Sequence, residues 1–425
     1  MECGPAHTAG ITPFKNIKEL QPANFLIFNK SGLYIEKYWE LKSKEHKDTF
    51  GKTCETIRDL LEASISKQLI TEESICTMLS GGLDSSIITT YAKKYKENLK
   101  TFSVDYVDND KNFVKSDFQP NSDDYYINIM TKKLKTEHEK IIIDTQELVQ
   151  NLENAMLARE MPGMADIDSS LLLFCNQISK KAKVAISGEC ADEIFAGYPW
   201  FFREDALKSN TFPWSINIDD RQKILSKDLS NKINLREYVD YRYNESLKQV
   251  EVLGTDSKET AQKRKISYLT MNWFMQTLLD RADRMSIQSG LEIRVPFCDY
   301  RIVEYMWNVP WEIKALNGRE KGILRYSIRD LLPEEIVDRK KSPYPKTHNP
   351  IYMSEVKQKL KRIVYNSNSP INNFINKDYI LKIIESDGAQ ITRPWFGQLM
   401  TAPQLMAYLI QINMWLKTYN PKIEI

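Results

Sequence analysis

The run Ile75-Cys76-Thr77-Met78-Leu79-Ser80-Gly81-Gly82-Leu83-Asp84-Ser85-Ser86-Ile87-Ile88 carries the most specific chemistry in the chain. An apolar strand enters a turn of small residues and leaves as a helix, an arrangement that makes a cradle for an anion. Ser80, Gly81 and Gly82 have too little side chain to shield their own amides, so the turn's N–H groups can converge on a phosphate at the positive end of the helix. Ser85 and Ser86 add hydroxyl donors. Asp84 puts a carboxylate where phosphates would sit, and the two repel unless a hard cation such as Mg²⁺ lies between them. The pattern predicts a nucleotide and a metal ion together. No Gly-Lys-Ser/Thr follows the glycines, so this is not a Walker loop, and it has no GxGxxG dinucleotide fingerprint.

Two more segments follow in order: Ser187-Gly188-Glu189-Cys190-Ala191-Asp192-Glu193-Ile194-Phe195-Ala196-Gly197-Tyr198 and Leu291-Glu292-Ile293-Arg294-Val295-Pro296-Phe297-Cys298-Asp299. Ser80 to Ser85 resembles the SGGxDS pyrophosphate loop of the N-type ATP pyrophosphatases. The later segments resemble the SGEGADExFxGY and LExRxPFxD signatures of the asparagine synthetase branch. Cys190 and Ala196 depart from it, each standing where relatives frequently have glycine. The resemblance implies an α/β fold, a doubly wound parallel sheet of the ATP-pyrophosphatase (adenine nucleotide α-hydrolase-like) type, followed by a mainly helical C-terminal half. It also implies a ligase that converts the side chain of aspartate to β-aspartyl-AMP with ATP, then lets ammonia attack to give asparagine, AMP and pyrophosphate. Related ligases that close an internal amide, of the β-lactam synthetase or lasso-peptide cyclase type, and a noncatalytic remnant or partner stand as alternatives.

Composition narrows the class. At 425 residues the chain is long enough for two structural units around a large core, with 42% hydrophobic and 27% charged residues. Fifty-nine basic against 57 acidic residues leave a net charge of +2, no global field for nucleic acid or a membrane surface. The first residues lack a signal peptide's basic start and apolar stretch, and no apolar run approaches the ~20 residues of a membrane span, so a cytoplasmic protein is expected. Six scattered cysteines without a CxxC pair point to neither a zinc site nor a disulfide framework.

Phe25 to Tyr38 reads as a β-hairpin, two apolar runs joined at Asn29-Lys30-Ser31-Gly32. Residues 1–41 resemble the C-terminal end of the glutaminase domain that precedes this synthetase, 42–52 read as a polar linker, and 53–425 as the asparagine synthase domain. Cys3 is no match for the family's N-terminal nucleophile, because Glu2 precedes it. Ammonium, not glutamine, is therefore the expected nitrogen donor for the isolated chain, with a separate glutaminase subunit as an external source; a homodimer is compatible with the sequence. Strands are expected at 74–79, 100–105, 139–144 and 183–187, and helices at 85–95, 123–134, 146–159 and 169–181. Such alternation implies parallel strands with ligands at their carboxyl ends. The half beyond Tyr198 is expected to pack across that open end and close the site.

A carboxylate must be activated before an amine will displace its oxygen. Attack on the α-phosphorus does this, and the charge that develops on phosphate oxygens can be met by amides, lysine and Mg²⁺. Asp84 and Asp192, one after each signature strand, are the candidate metal ligands; Asp192 also reads as a carboxylate placed by a helix N-terminus. The resemblance gives Glu189 a role in forming the acyl-adenylate and Lys321 a place near the reacting phosphates. A partner for a lysine is the other reading of Glu189, and an ordinary basic helix start that of Lys321. It also assigns ATP to Leu79, Ser80, Gly81, Gly82, Asp84, Ser85, Ser86, Val104, Ser187 and Gly188, although Leu79 and Val104 read equally as core. Asp280 to Met285 reads as a buried ion network, and the basic run Lys340 to Lys346 as a loop edge.

Overall fold

The computed structural model describes residues 6–113, 122–216, 218–396 and 400–424. Cys3 lies outside them. The first described strands, β1 (Asn24–Asn29) and β2 (Gly32–Lys37), form the expected hairpin with Phe28 opposite Leu33. The first helix, Phe50–Gln68, starts inside the stretch expected as a linker, because Thr49 caps it through its hydroxyl. Ahead of it Ser43 is buried and bonded to Glu251 and Trp307.

The central sheet is parallel throughout: β3 (Ile75–Met78), β4 (Lys100–Tyr106), β5 (Glu137–Ile143), β6 (Val184–Ile186) and β7 (Glu292–Arg294), in spatial order β5-β4-β3-β6-β7. Its apolar runs are covered on both faces. From β3, Cys76 joins one core layer while Ile75 and Leu79 join the other, and Thr77 meets Thr89 of the following helix at 3.0 Å. Helices Leu83–Tyr95 and Asp123–Leu134 contribute to the layer that holds Leu79. Helices Thr145–Gln150, Leu152–Arg159 and Asp166–Ile178 contribute to the other. The chain thus runs outward from β3 to β5 with crossovers on one face, changes face, and returns to set β6 beside β3. At such a reversal the loops after neighbouring strands diverge, leaving a crevice at their carboxyl ends. Both signature turns open there.

Three elements differ from the reading of the sequence. The helix expected over 146–159 is broken at Asn151, whose side-chain amide donates to the Glu147 carbonyl at 2.9 Å and competes with the backbone ladder. Strand β7 was not foreseen; it is three residues long and two of them, Glu292 and Arg294, are charged and paired at 2.7 Å. The C-terminal half does not simply cap the sheet. Its apolar helices Pro350–Tyr365 and Ala402–Tyr419 bury their stripes on the flank formed by 145–178, and residues 198–274 build a separate aromatic core around Trp200, Phe212, Trp214 and Phe274. Among the described residues, helix Gln276–Gln288, Ile293 of β7, the start of helix Gly322–Ile328 and the strap 339–345 reach the crevice from this half. Among the described residues no helix is long and apolar enough to cross a membrane.

The hairpin leaves apolar side chains in water on both faces, with Phe28 78% and Leu33 61% exposed. A two-stranded ribbon contributes little stability by itself, whereas its apolar surface favours association. Replacing both Phe28 and Leu33 with serine is expected to leave the melting temperature within about 2 °C of wild type. It should also lower concentration-dependent association in sedimentation velocity; unchanged association would show that this face is not the adhesive one.

Candidate active site

The turn after β3 is built by backbone constraint. Gly81 has φ +68, and a Cβ there would lie 2.6 Å from Tyr126 Cβ and 2.7 Å from the Ile127 amide nitrogen, so no larger residue fits. Gly82 is the cap of helix Leu83–Tyr95, which no side chain caps, leaving its first amides open to an outside acceptor. Ser85 Oγ accepts from the Ser80 amide at 3.2 Å and lies 3.1 Å from Ser80 Oγ, tying the turn shut. From β6, Gly188 presses onto this turn: a Cβ would be 2.9 Å from the Ser85 amide nitrogen and 3.0 Å from the Asp84 carbonyl carbon. The two signature turns are in van der Waals contact.

Lys321 joins their carboxylates. It is buried, and its Nζ lies 2.5 Å from Asp84 Oδ2 and 2.7 Å from Asp192 Oδ1. Lys341 holds the other oxygen of Asp192 at 2.7 Å. Burial works against the charge on Asp192, but the two ammonium groups prevail and hold its carboxyl well below the usual range. At Asp84, burial together with the neighbouring Asp192 charge pushes the carboxyl up against the pull of Lys321 and, more weakly, Lys341. Burial disfavours the Lys321 ammonium, yet the same two carboxylates raise its pKa. Asp84 Oδ1 remains buried without a hydrogen-bond partner.

Glu189 projects beside this cluster. Its Oε1 accepts from Arg281 Nη2 at 2.6 Å, while its Oε2 is buried with no hydrogen-bond partner. Arg281 lies over the Tyr344 ring at 5.5 Å, and Tyr344 is bonded to Ser170 at 3.2 Å. A cavity of about 230 Å³ opens between these groups. Of the residues expected to meet nucleotide, Leu79, Ser80, Gly82, Asp84, Ser85, Val104, Ser187 and Gly188 line it, as do Glu189, Asp192 and Lys321. Gly81 and Ser86 are not on its wall; Gly81 shapes the turn, and Ser86 is fully buried. The charged run after Asp280 divides its duties, Arg281 reaching Glu189 while Asp280 pairs with Arg159 at 2.8 Å.

Arg281, expected in a buried ion network, Lys341 and Tyr344, expected on a loop edge, and Arg339, given no role from the sequence, also face the cavity. Their signal was present in the basic run after Arg339 and in the alternating charges of 280–284, but nothing local tells a cavity-facing cation from a solvated one. Cys190 and Ala196, the departures from glycine, have φ +74 and +58. The frequent glycine there answers to left-handed backbone, which costs other residues roughly 1–2 kcal/mol.

Neighbouring positions should therefore respond oppositely. Ala196→Gly relieves a left-handed alanine and is expected to keep wild-type activity, with stability changed by no more than about 1 kcal/mol. Gly197→Ala would put a methyl 1.9 Å from Asp192 Oδ1 and 2.4 Å from Lys321 Cε, and should lower turnover at least tenfold. Steady-state rates and thermal melts of the two variants check this; equal behaviour would mean that the Asp192–Lys321 geometry is not what turnover requires.

The family model described as asparagine synthase matches residues 56–417. The chain is 46% identical over 99% of its length to asparagine synthetase (glutamine-hydrolyzing) 3 of Bacillus subtilis, spanning 69% of that protein. It is 25% identical over 87% of its length to asparagine synthetase (glutamine-hydrolyzing) 1 of the same organism, spanning 61% of it. With the Gallus gallus asparagine synthetase it shares 26% identity over 68% of its length, spanning 42% of that relative. With the match to most of its length and the turns that meet at the sheet's switch point, the chain belongs to the asparagine synthase family.

Proposed function

We propose that this protein is an ATP-dependent ligase that adenylates the side-chain carboxylate of aspartate and transfers the aspartyl group to ammonia, forming asparagine, AMP and pyrophosphate. The observation that carries this is the junction of the two turns, where open helix amides, two carboxylates and two lysines face one cavity beside a glutamate with a free oxygen.

In the first step a carboxylate oxygen of aspartate attacks the α-phosphorus and the bond to pyrophosphate breaks. The open amides after Gly82 suit the departing phosphates, and Leu79 and Val104 give the base an apolar wall. Lys321, enclosed between Asp84 and Asp192, serves as the bridge that keeps the carboxylates together, whereas Lys341, less buried and paired with Asp192 alone among the carboxylates of the described residues, is the cation better placed to meet phosphate charge. In the second step ammonia attacks the acyl carbon and AMP leaves with the carboxylate oxygen. The free Oε2 of Glu189 is suited to take the proton that nitrogen sheds, with Arg281 fixing the other oxygen.

Among the described residues no group of three or more His, Cys, Asp or Glu could hold a metal. Mg²⁺ does not need one, since it binds through one or two carboxylates with phosphate oxygens and water. The unpartnered Asp84 Oδ1 fits that donor set, with Asp192 beside it, and the ion would neutralise phosphate charge. A cytoplasmic setting suits these substrates, ammonia can come from a separate glutaminase subunit, and a homodimer is compatible with the exposed hairpin.

Purified protein given aspartate, ATP, Mg²⁺ and ammonium should release pyrophosphate and asparagine in equal amounts. Aspartate-independent release, or no asparagine, would overturn the substrate assignment. Asp84→Asn keeps the shape and removes the charge; at least a hundredfold loss of turnover is expected, about 2.7 kcal/mol of barrier. Wild-type turnover with an unchanged Mg²⁺ dependence would remove Asp84 from the metal site.

A further inference from the structure

Arg339 stands outside every role described so far, yet it is among the most heavily engaged cations of the crevice. Its side chain is 4% exposed. One guanidinium nitrogen, Nη1, donates to the Ser80 carbonyl at 2.9 Å; the other, Nη2, pairs with Asp123 Oδ1; and the plane lies 4.2 Å from the Tyr126 ring centre. Three elements meet at this one group: the turn after β3, the start of helix Asp123–Leu134, and the strap 339–345. Ser80 belongs to the phosphate cradle, and Tyr126 is the residue against which Gly81 is pressed. Two residues beyond Arg339 the strap presents Lys341 to Asp192, and three further on it presents Tyr344 to Arg281.

We infer that Arg339 is a positioning residue that latches the strap to the phosphate cradle and so fixes Lys341 at the reacting phosphates; this rests on the ligase reading above. The argument is geometric. A trans peptide is planar, so holding the Ser80 carbonyl also fixes the direction of the Gly81 N–H in the same plane. The guanidinium fork grips two acceptors in a set geometry, which an ammonium on a flexible stem does not reproduce. The strap between 339 and the helix that starts at Pro350 has no helix or strand of its own, so its register against the cradle depends on side-chain anchors. Arg339 is the anchor that touches the cradle itself.

The test uses the full chain. Arg339→Met is expected to lower kcat/KM for ATP at least thirtyfold, and Arg339→Lys to recover part of that loss. Arg339→Met should also speed tryptic cleavage after Lys340 and Lys341 at least tenfold, leaving hydrogen exchange in the middle of helix Leu83–Tyr95 unchanged. In a Lys341→Met background the same change should cost less than threefold more, because its effect runs through Lys341. Fully multiplicative losses, or unchanged cleavage in the strap, would overturn the latch whatever the activity. If Arg339→Met fails to fold, Asp123→Asn loosens the same fork and is held to the same two criteria. The readings separate cleanly: a folded Arg339→Met with wild-type kinetics, beside an inactive Asp84→Asn, sinks the latch and spares the ligase. Wild-type protein that makes no asparagine sinks the ligase, and the cleavage measurement still judges the latch.

Discussion

A buried ammonium must be paired, and the requirement that Lys321 find its partners organises this site. Its two carboxylates come from different turns, one after β3 and one after β6, so that one ammonium ties the two turns together. Removing one member of such a cluster typically costs about 3–5 kcal/mol, because the remaining charge is stranded in a low dielectric. The pairing forces the turns together, and the absence of a side chain at Gly188 lets them touch. The cavity and the free oxygens of Asp84 and Glu189 follow from that contact. Carboxylate charge that would repel phosphate is thereby matched in advance by Lys321 and Lys341, while Asp84 keeps one oxygen free.

Much of this was legible in the residue order. Small residues between an apolar run and a helical pattern announce a cradle by local physics alone, and alternating periods of two and 3.6 announce a parallel sheet. The limits were equally physical. Strand β7 is recognisable only from its neighbour, since three residues with two charges carry no period. Asn151 divides a helix by a side-chain bond that a hydrophobic pattern does not register. Lys321 and Lys341 look alike in sequence; burial between two carboxylates distinguishes them, and burial is a property of the assembled fold.

The left-handed residues make a related point. At Cys190 and Ala196 the chain keeps a backbone shape that favours glycine while supplying side chains that fill the core, the thiol of Cys190 and the methyl of Ala196 both being buried. The turn's shape, required to aim Glu189 and Asp192, is retained at a local cost of roughly 1–2 kcal/mol per position, partly offset by packing.

The crevice draws on residues far apart along the chain: Lys321 lies 237 positions from Asp84, and Arg339 lies 259 from Ser80. Contacts that distant form late and slowly in folding, since long loops must close before they are rewarded. No early fragment of the chain can hold nucleotide with these groups, so binding competence arrives only with the near-complete fold. The converse is a stabilising role for substrate. A nucleotide that binds only the finished crevice draws the whole equilibrium toward the native state by about 2.7 kcal/mol at a hundred times its dissociation constant. In a cell this couples survival of the chain to the supply of its own substrate.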